Sequence, residues 1–154
     1  MSDKGIGAIA LDSWAILSLL EGEPPGKVVR DILNPCEGDK DAKVRLRGKF
    51  GLNFGAFKPY LNLINLGEVL YIIGRRRGEK EAFEVFRWLK RGPVEIVQVS
   101  EEFMLMAVRF KIRYTVSYAD AFALATAHLK KAYLLTGDPE IQKVDEVPLL
   151  WIGR

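Results

Sequence analysis

The sequence predicts an α/β protein built on a parallel sheet, and three observations lead to this class. Short apolar runs rich in β-branched residues alternate with stretches of helical spacing. Strands separated in this way by helices are typical of parallel crossovers. The chain has 154 residues, a length typical of one domain. We therefore expect a single domain over residues 1–154.

The first element is a short apolar run at residues 6–11, which ends at Asp12 and Ser13. This pattern predicts a buried strand that turns directly into a helix. The helices predicted after it cover residues 14–20, 26–33, 60–74, 79–90, 102–111 and 117–131, with a helical turn at 139–143. The other predicted strands cover residues 94–99, 132–136 and 148–152.

Residues 37–58 follow neither the helical nor the strand period. The segment contains four glycines and three phenylalanines, and six positive residues against three negative ones. Long loops in compact domains are usually functional or disordered. We interpret the segment as a basic loop or hairpin-like excursion that contacts substrate or a partner.

The composition excludes several classes of protein. No apolar run reaches the ~18 residues of a membrane helix, and the amino terminus lacks the apolar region of a signal peptide, so we expect a cytoplasmic protein. The single cysteine, Cys36, excludes an internal disulfide and a cysteine-cluster zinc site. The single histidine, His128, excludes mechanisms built on a histidine pair. Carboxylates remain as the candidate acid–base or metal-binding groups.

Both of the most apolar strands end at an aspartate, Asp12 after the first and Asp138 after the strand at 132–136. Ligands of parallel α/β sheets bind at the carboxyl ends of the strands. Two further acids, Glu68 and Asp120, lie among small or apolar residues where a solvent-facing charge is not expected. Four carboxylates in one cleft need a neutralising cation. Oxygen ligands alone favour Mg²⁺ or Mn²⁺ over zinc.

Each acid also has an ordinary structural interpretation. Asp12 fits a helix N-cap, and Asp138 before a proline has the same arrangement. Ser117 with Asp120 resembles a capping box. Glu68 fits a helix-surface carboxylate. A further acid, Glu140, is expected to face solvent, although it could also reach a metal ion through water.

Four segments resemble, in order, the acidic motifs of PIN-domain proteins, and most closely those of archaeal VapC-like toxins: IALDSWAIL, INLGEVLY, SYADAFALATA and LLTGDPEI. The resemblance implies a three-layer α/β/α sandwich with a parallel central sheet. It also implies a Mg²⁺- or Mn²⁺-dependent endoribonuclease, often a homodimer, that a small antitoxin protein inhibits.

The resemblance also assigns residues. It places the catalytic, metal-binding acids at Asp12, Glu68, Asp120 and Asp138. It places a conserved hydroxyl, in a supporting role, at Thr136. Ser13 and Ser117, close in the sequence to Asp12 and Asp120, are further candidates for supporting hydroxyls.

Basic side chains near these motifs are candidates for contacts with RNA phosphates, although a solvated protein surface has the same pattern. They are Arg75, Arg76, Arg77, Lys43, Arg45, Arg47 and Lys49. The main functional prediction is the ribonuclease of a toxin–antitoxin pair. The alternatives are a housekeeping RNA-processing nuclease, a DNA-directed nuclease, and a non-catalytic module that binds RNA or protein on the same scaffold.

Overall fold

The computed structural model describes residues 5–34 and 41–154. In these ranges, five strands form one sheet: β1 (Ile6–Leu11), β2 (Phe54–Asn62), β3 (Glu95–Val97), β4 (Tyr133–Thr136) and β5 (Leu149–Trp151). Their order across the sheet is β3-β2-β1-β4-β5, and every neighbouring pair is parallel. The chain builds outward from β1 to β3 and then returns to add β4 on the other side of β1. The strand order therefore reverses between β1 and β4, where α/β proteins bind ligands.

Helices cover both faces of the sheet: α1 (Ser13–Leu20), α2 (Gly26–Leu33), α3 (Asp41–Phe50), α4 (Leu63–Arg77), α5 (Glu79–Lys90), α6 (Glu101–Arg113) and α7 (Tyr118–Lys130). Helices α1–α5 pack on one face against strand residues such as Leu11 and Leu61. Helices α6 and α7 pack on the other face against Ala10 and Leu134. The predicted three-layer α/β/α sandwich with a parallel central sheet is confirmed. No helix in the described ranges is long and apolar enough to cross a membrane.

The interpretation of residues 37–58 as a loop or hairpin-like excursion is wrong for residues 41–50, which form α3, and for residues 54–58, which begin β2. Residues 37–40 lie outside the described part of the chain. Helix α3 buries only Ala42 and Leu46, so its apolar stripe is too narrow to give a sustained period. Strand β2 contains Gly55 and Pro59, which normally weaken a strand pattern.

The register between β1 and β2 also hides the strand from sequence inspection. Ile6 pairs with Phe54 and Ala8 with Lys58, so β2 advances four residues while β1 advances two. This irregularity interrupts the strict alternation of side chains that identifies a strand. The predicted helix start at residue 60 is also wrong. Strand β2 continues to Asn62, which then caps α4.

Candidate active site

Asp12 lies between β1 and α1, at the edge of the sheet where the strand order reverses. Its side chain is the N-cap of α1 and accepts a hydrogen bond from the backbone N–H of Ala15 at 2.8 Å. Its other oxygen, Oδ2, accepts a hydrogen bond from the hydroxyl of Thr136 at the end of β4. Only 1% of Asp12 is exposed. The residue therefore caps a helix and at the same time joins two strand ends.

Glu68 lies in the second turn of α4 and is half-buried. Its Oε1 atom accepts a hydrogen bond from the hydroxyl of Ser13, the first residue of α1. Since Asp12 immediately precedes Ser13, this bond places the Glu68 carboxylate close to the start of α1. Glu68 is therefore not a simple helix-surface carboxylate.

Asp120 lies in the first turn of α7. The hydroxyl of Ser117, the N-cap of α7, accepts a hydrogen bond from the backbone N–H of Asp120 at 3.1 Å. The carboxylate of Asp120 is buried, and its Oδ2 atom has no hydrogen-bond partner. A buried carboxylate oxygen without a partner is energetically unfavourable, so the capping interpretation leaves this atom unexplained.

Asp138 follows β4, and its carboxylate faces the start of α7. The backbone N–H of Asp138 donates to the hydroxyl of Thr136 at 3.0 Å, and its Oδ1 accepts from the backbone N–H of Glu140 at 3.0 Å. This second bond forms an Asx turn. Glu140 Oε2 in turn accepts from the backbone N–H of Ser117 at 3.2 Å.

Three of these acids form a compact group. One carboxylate oxygen from each of Asp120, Asp138 and Glu140 lies within 4.8 Å of the others. Glu140 is exposed, as the sequence predicts, but its carboxylate also points to this group. Sequence inspection could have included it from the spacing of two residues, since an Asx turn brings residues i and i+2 together. Asp12 and Glu68 lie outside this group of three; the charge of Asp138 acts on Asp12, and Glu68 is bonded to Ser13, the residue after Asp12.

Burial and repulsion between carboxylates raise the pKa values of two of these side chains, Asp12 and Asp120. Burial is the largest cause that raises the pKa of Asp12 to about 7; the charges of Asp138 and Glu68 add to it, while the hydrogen bond from Thr136 opposes it. Burial also raises the pKa of Asp120 to about 8, with further contributions from Asp138 and Asp12. Asp138 and Glu68 thus act electrostatically on Asp12, and Asp138 and Asp12 act on Asp120.

The donor set fits a divalent cation of the Mg²⁺ or Mn²⁺ class. All candidate ligands are oxygens, as these ions prefer, and a cation would give Asp120 Oδ2 the partner that it lacks. It would also offset the repulsion that raises the pKa values of Asp12 and Asp120. Capping and metal binding are compatible here, because each Asp12 oxygen accepts only one hydrogen bond from the described residues, that of Ala15 or that of Thr136, and keeps a second lone pair for a cation.

The indole ring of Trp14 packs closely against Gly137, the residue before Asp138. A Cβ atom at Gly137 would overlap the indole ring of Trp14, so only glycine fits between Thr136 and Asp138. The indole therefore packs directly on the backbone that carries Asp138. Inspection of the sequence provides only a weak signal for this packing, since a glycine at a strand end is also typical of a turn.

The predicted RNA-binding residues of α4 lie in the last turn of that helix, at the opposite end from Glu68. Arg76 and Arg77 both pair with Glu21 at 3.0 Å, and the Arg75 guanidinium lies 5.8 Å from the centre of the Tyr71 ring. Seven to nine residues separate Arg75–Arg77 from Glu68, which is about 10 to 14 Å along the helix axis.

The remaining candidates belong to α3. Arg45 pairs with Asp31 of α2 at 2.7 Å. Arg47 and Lys49 are exposed, and Lys43 is half-buried.

Known proteins share this fold. The VapBC-1 structure from nontypeable Haemophilus influenzae has 13% identity and a TM-score of 0.64, covering 94% of this chain and 98% of that one. The DNA-bound VapBC from Salmonella typhimurium has 10% identity and a TM-score of 0.64, covering 96% and 99%. Mycobacterium tuberculosis VapC20, a sarcin–ricin loop cleaving toxin, has 19% identity and a TM-score of 0.53, covering 90% and 98%.

A search of the curated proteins found no match to the chain. A comparison of the sequence with models of protein families does establish the family. The model of the PIN domain matches residues 9–147, a range that contains all four predicted acids and the hydroxyl of Thr136. The chain therefore belongs to the PIN-domain family.

Proposed function

We propose that this protein is a metal-dependent endoribonuclease that hydrolyses RNA phosphodiester bonds, and that it is the toxin of a toxin–antitoxin pair. The observation that carries the catalytic part is the buried, unpartnered Oδ2 of Asp120 beside Asp138 and Glu140. A divalent cation gives this oxygen a partner, whereas a binding module that uses the acids only as helix caps has no use for it.

Asp12, Glu68, Asp120 and Asp138 would hold one or two Mg²⁺ or Mn²⁺ ions. When bound, such ions activate water and stabilise the negative charge that develops on a phosphodiester. The chain's own hydroxyls hold the acids in place. Ser13 donates to Glu68, and Thr136 donates to Asp12. Ser117 accepts from the backbone of Asp120.

The toxin assignment, and the archaeal VapC-like subtype that the motifs favour, are the finer part of the proposal. Several solved structures that share the fold are complexes of a toxin with its antitoxin, such as the one from Klebsiella pneumoniae. One toxin with this fold cleaves the sarcin–ricin loop. We therefore propose RNA as the substrate, a small antitoxin protein and a second copy of the chain as partners, and the cytoplasm as the location.

The RNA strand would be held by positive charge on α3 and on the last turn of α4. These contacts would bind phosphates without reading sequence. The candidates are Lys43, Arg45, Arg47, Lys49, Arg75, Arg76 and Arg77.

Cleavage assays test the proposal against its alternatives. The purified protein should cut single-stranded RNA in the presence of Mn²⁺ and lose this activity in EDTA. Asp12→Asn should cut more than 100-fold more slowly, whereas Glu84→Gln on the exposed side of α5 should match the wild type. Equal cleavage of single-stranded DNA would favour a DNA-directed nuclease. RNA binding without any metal-dependent cleavage would favour the binding module and contradict the proposal.

A further inference from the structure

Three buried polar side chains connect α4 with α7. We call them the amide network: Asn62, Asn65 and Thr126, none of which has any exposed surface. Asn62 caps α4 through its Oδ1, which accepts from the backbone N–H of Asn65 at 2.9 Å. Its Nδ2 donates across to α7, to the Thr126 hydroxyl at 2.8 Å and to the Phe122 carbonyl at 3.1 Å.

The second asparagine extends the connection toward the acids. Asn65 Oδ1 is a third acceptor near Asn62 Nδ2, at 2.8 Å, so the two N–H groups of that amide are shared among three acceptors. Asn65 Nδ2 donates to the backbone carbonyl of Ala119 at 3.0 Å. The Thr126 hydroxyl donates to the Phe122 carbonyl at 2.8 Å. The network is therefore satisfied by contacts within α4 and α7.

The network joins two layers of the sandwich. Helix α4 packs on one face of the sheet through residues such as Leu66, and α7 packs on the other face through residues such as Phe122. Asn62, the last residue of β2, lies where both helices pass the carboxyl end of that strand. The amide network is thus a direct polar connection between the two helical layers at the edge of the sheet that carries the acids.

Two of the four proposed metal ligands lie on these two helices. Asn65 comes one turn before Glu68, and the carbonyl that it contacts belongs to Ala119, which directly precedes Asp120. Any change in the distance between α4 and α7 would therefore move Glu68 relative to Asp120. Metal affinity depends on this distance, since ligands must be held within a few tenths of an ångström.

Helix formation alone does not explain these residue types. An aspartate or serine at position 62 would cap α4 equally well, but neither offers the amide N–H groups that reach Thr126 and Phe122. Asn65 lies inside α4, where asparagine is a weak helix former, and a leucine of similar size would suit a buried site. Buried polar groups that are fully bonded favour one arrangement over its alternatives. The network therefore restricts how α4 and α7 can pack.

We propose that Asn62, Asn65 and Thr126 are positioning residues that fix Glu68 and Asp120 at the spacing required by a divalent cation. This inference rests on the proposed function, because it assumes that these acids bind metal. It adds that the affinity for the cation depends on side chains that touch neither the cation nor the RNA.

The first test measures Mn²⁺ binding without RNA. Bound ions raise the melting temperature, so a titration gives the Mn²⁺ concentration at half of the maximum rise. We expect Asn65→Leu to increase this concentration about 10-fold or more, as loss of an outer-shell partner typically does. Thr126→Val, which removes only the hydroxyl, should give a smaller increase of about threefold, and Thr126→Ser should restore the wild-type value.

Ser18→Ala is the matched control. Ser18 is also buried, and its hydroxyl also donates to a carbonyl four residues earlier, that of Trp14. Within the described residues its hydroxyl makes only this bond inside α1, so its Mn²⁺ midpoint should stay within twofold of the wild type. Unchanged midpoints in folded Asn65→Leu and Thr126→Val would overturn the inference.

The second test measures the helix spacing itself. Spin labels at the exposed Tyr71→Cys of α4 and His128→Cys of α7, in a Cys36→Ser background, report the distance distribution between the helices. We expect Asn65→Leu to broaden or shift this distribution and Ser18→Ala to leave it unchanged; an unchanged distribution in Asn65→Leu would overturn the positioning role. This measurement needs no metal. A wild-type protein without any Mn²⁺ response would instead contradict the proposed function.

Discussion

The hydroxyl of Thr136 donates a hydrogen bond to the carboxylate of Asp12, which lies 124 positions earlier in the chain. The bond follows from the sheet, because Leu11 of β1 pairs with Leu135 of β4 and the next residues of both strands face each other. The same hydroxyl accepts a hydrogen bond from the backbone N–H of Asp138 at 3.0 Å. One side chain thus orients two of the proposed metal ligands.

Replacement of this hydroxyl should weaken metal binding. Thr136→Val keeps the shape of the buried side chain but removes the donor to Asp12, and second-sphere losses of this kind typically reduce metal affinity about 10- to 100-fold. We expect the Mn²⁺ midpoint of thermal stabilisation to rise by such a factor. Thr136→Ser, which retains the hydroxyl, serves as the control. A midpoint in Thr136→Val equal to that of the wild type would show that Asp12 needs no such support.

Without metal, the protein should lose stability as the pH rises. The pKa of Asp12 is about 7 in the folded protein, against an ordinary value of 3.8. The folded state therefore holds a proton that the unfolded state releases, and this stabilising contribution is complete below about pH 4 and lost as the pH passes 7. The pKa of Asp120, raised to about 8, extends the loss to higher pH.

Urea unfolding in EDTA between pH 5 and 8.5 measures this loss. Each pKa unit corresponds to about 1.4 kcal/mol, so we expect a decrease of a few kcal/mol in the free energy of unfolding. Glu21 and Glu146, whose pKa values are lowered by arginine and tyrosine partners, change stability only below this range. Saturating Mn²⁺ should largely abolish the decrease. A free energy of unfolding that stays constant over this pH range in EDTA would show that burial does not raise the pKa values of Asp12 and Asp120.

Removal of one buried charge should stabilise the metal-free protein while abolishing activity. Asp120→Asn eliminates the repulsion from Asp138 and Asp12, so at pH 8 in EDTA we expect a gain of about 1 kcal/mol or more in unfolding free energy. RNA cleavage should fall more than 100-fold, and the thermal response to Mn²⁺ should disappear. Glu84→Gln is the control for a neutralised surface acid. Destabilisation of Asp120→Asn in EDTA would argue for a structural carboxylate.

Glu140 should contribute to metal binding although it is exposed. Glu140→Gln keeps an oxygen that can accept from the backbone N–H of Ser117 but removes the charge from the group with Asp120 and Asp138. We expect a rise of about 3- to 10-fold in the Mn²⁺ midpoint, with little change in stability in EDTA. Glu102→Gln, an exposed acid in the first turn of α6, is the comparison. Equal midpoints in both variants would remove Glu140 from the site.

The basic residues of α3 should bind RNA more strongly than the paired arginines of α4. Each phosphate contact with a single strand contributes about 0.7 to the slope of log affinity against log salt. Neutralisation of Lys43, Arg47 and Lys49 together should therefore lower this slope by about 2. Arg76→Gln, which breaks an ion pair with Glu21 at 3.0 Å, should change the slope less. RNA affinity is measured at several salt concentrations in the catalytically inactive Asp12→Asn background, and the salt slopes of the α3 variant and of Arg76→Gln are compared. Equal slopes in the two variants would contradict the prediction.

Much of the site could be predicted because strand ends are readable in the sequence. Asp12 and Asp138 each follow an apolar strand, and parallel strands bring their carboxyl ends to one edge. The contribution of Glu140 could not be predicted from polarity, because an exposed acid after a turn usually faces solvent. The roles of Asn62 and Asn65 were also hidden, since an asparagine near a helix start resembles an ordinary cap.

The fold was predictable where periodicity was strong and failed where it was interrupted. The helix at 79–90 was predicted with the bounds that the structure has, Glu79–Lys90, because its apolar positions follow one face. Strand β2 was missed, since Gly55 and Pro59 interrupt its pattern and its pairing with β1 is irregular. Its place in the interior of the sheet is decided by tertiary pairing that local propensity does not reveal.

The pairing of β1 with β4 has a consequence for protein synthesis. A nascent polypeptide emerges from the ribosome with its amino-terminal half first, and that half contains Asp12 and Glu68 but neither Asp120 nor Asp138. The nascent chain cannot form the full cluster of acids until Asp138 has been added and β4 has paired with β1. For a protein that degrades RNA, the transcript being read is therefore spared by the shorter nascent chains, and hydrolytic capacity arises only after β4 has been made and folded.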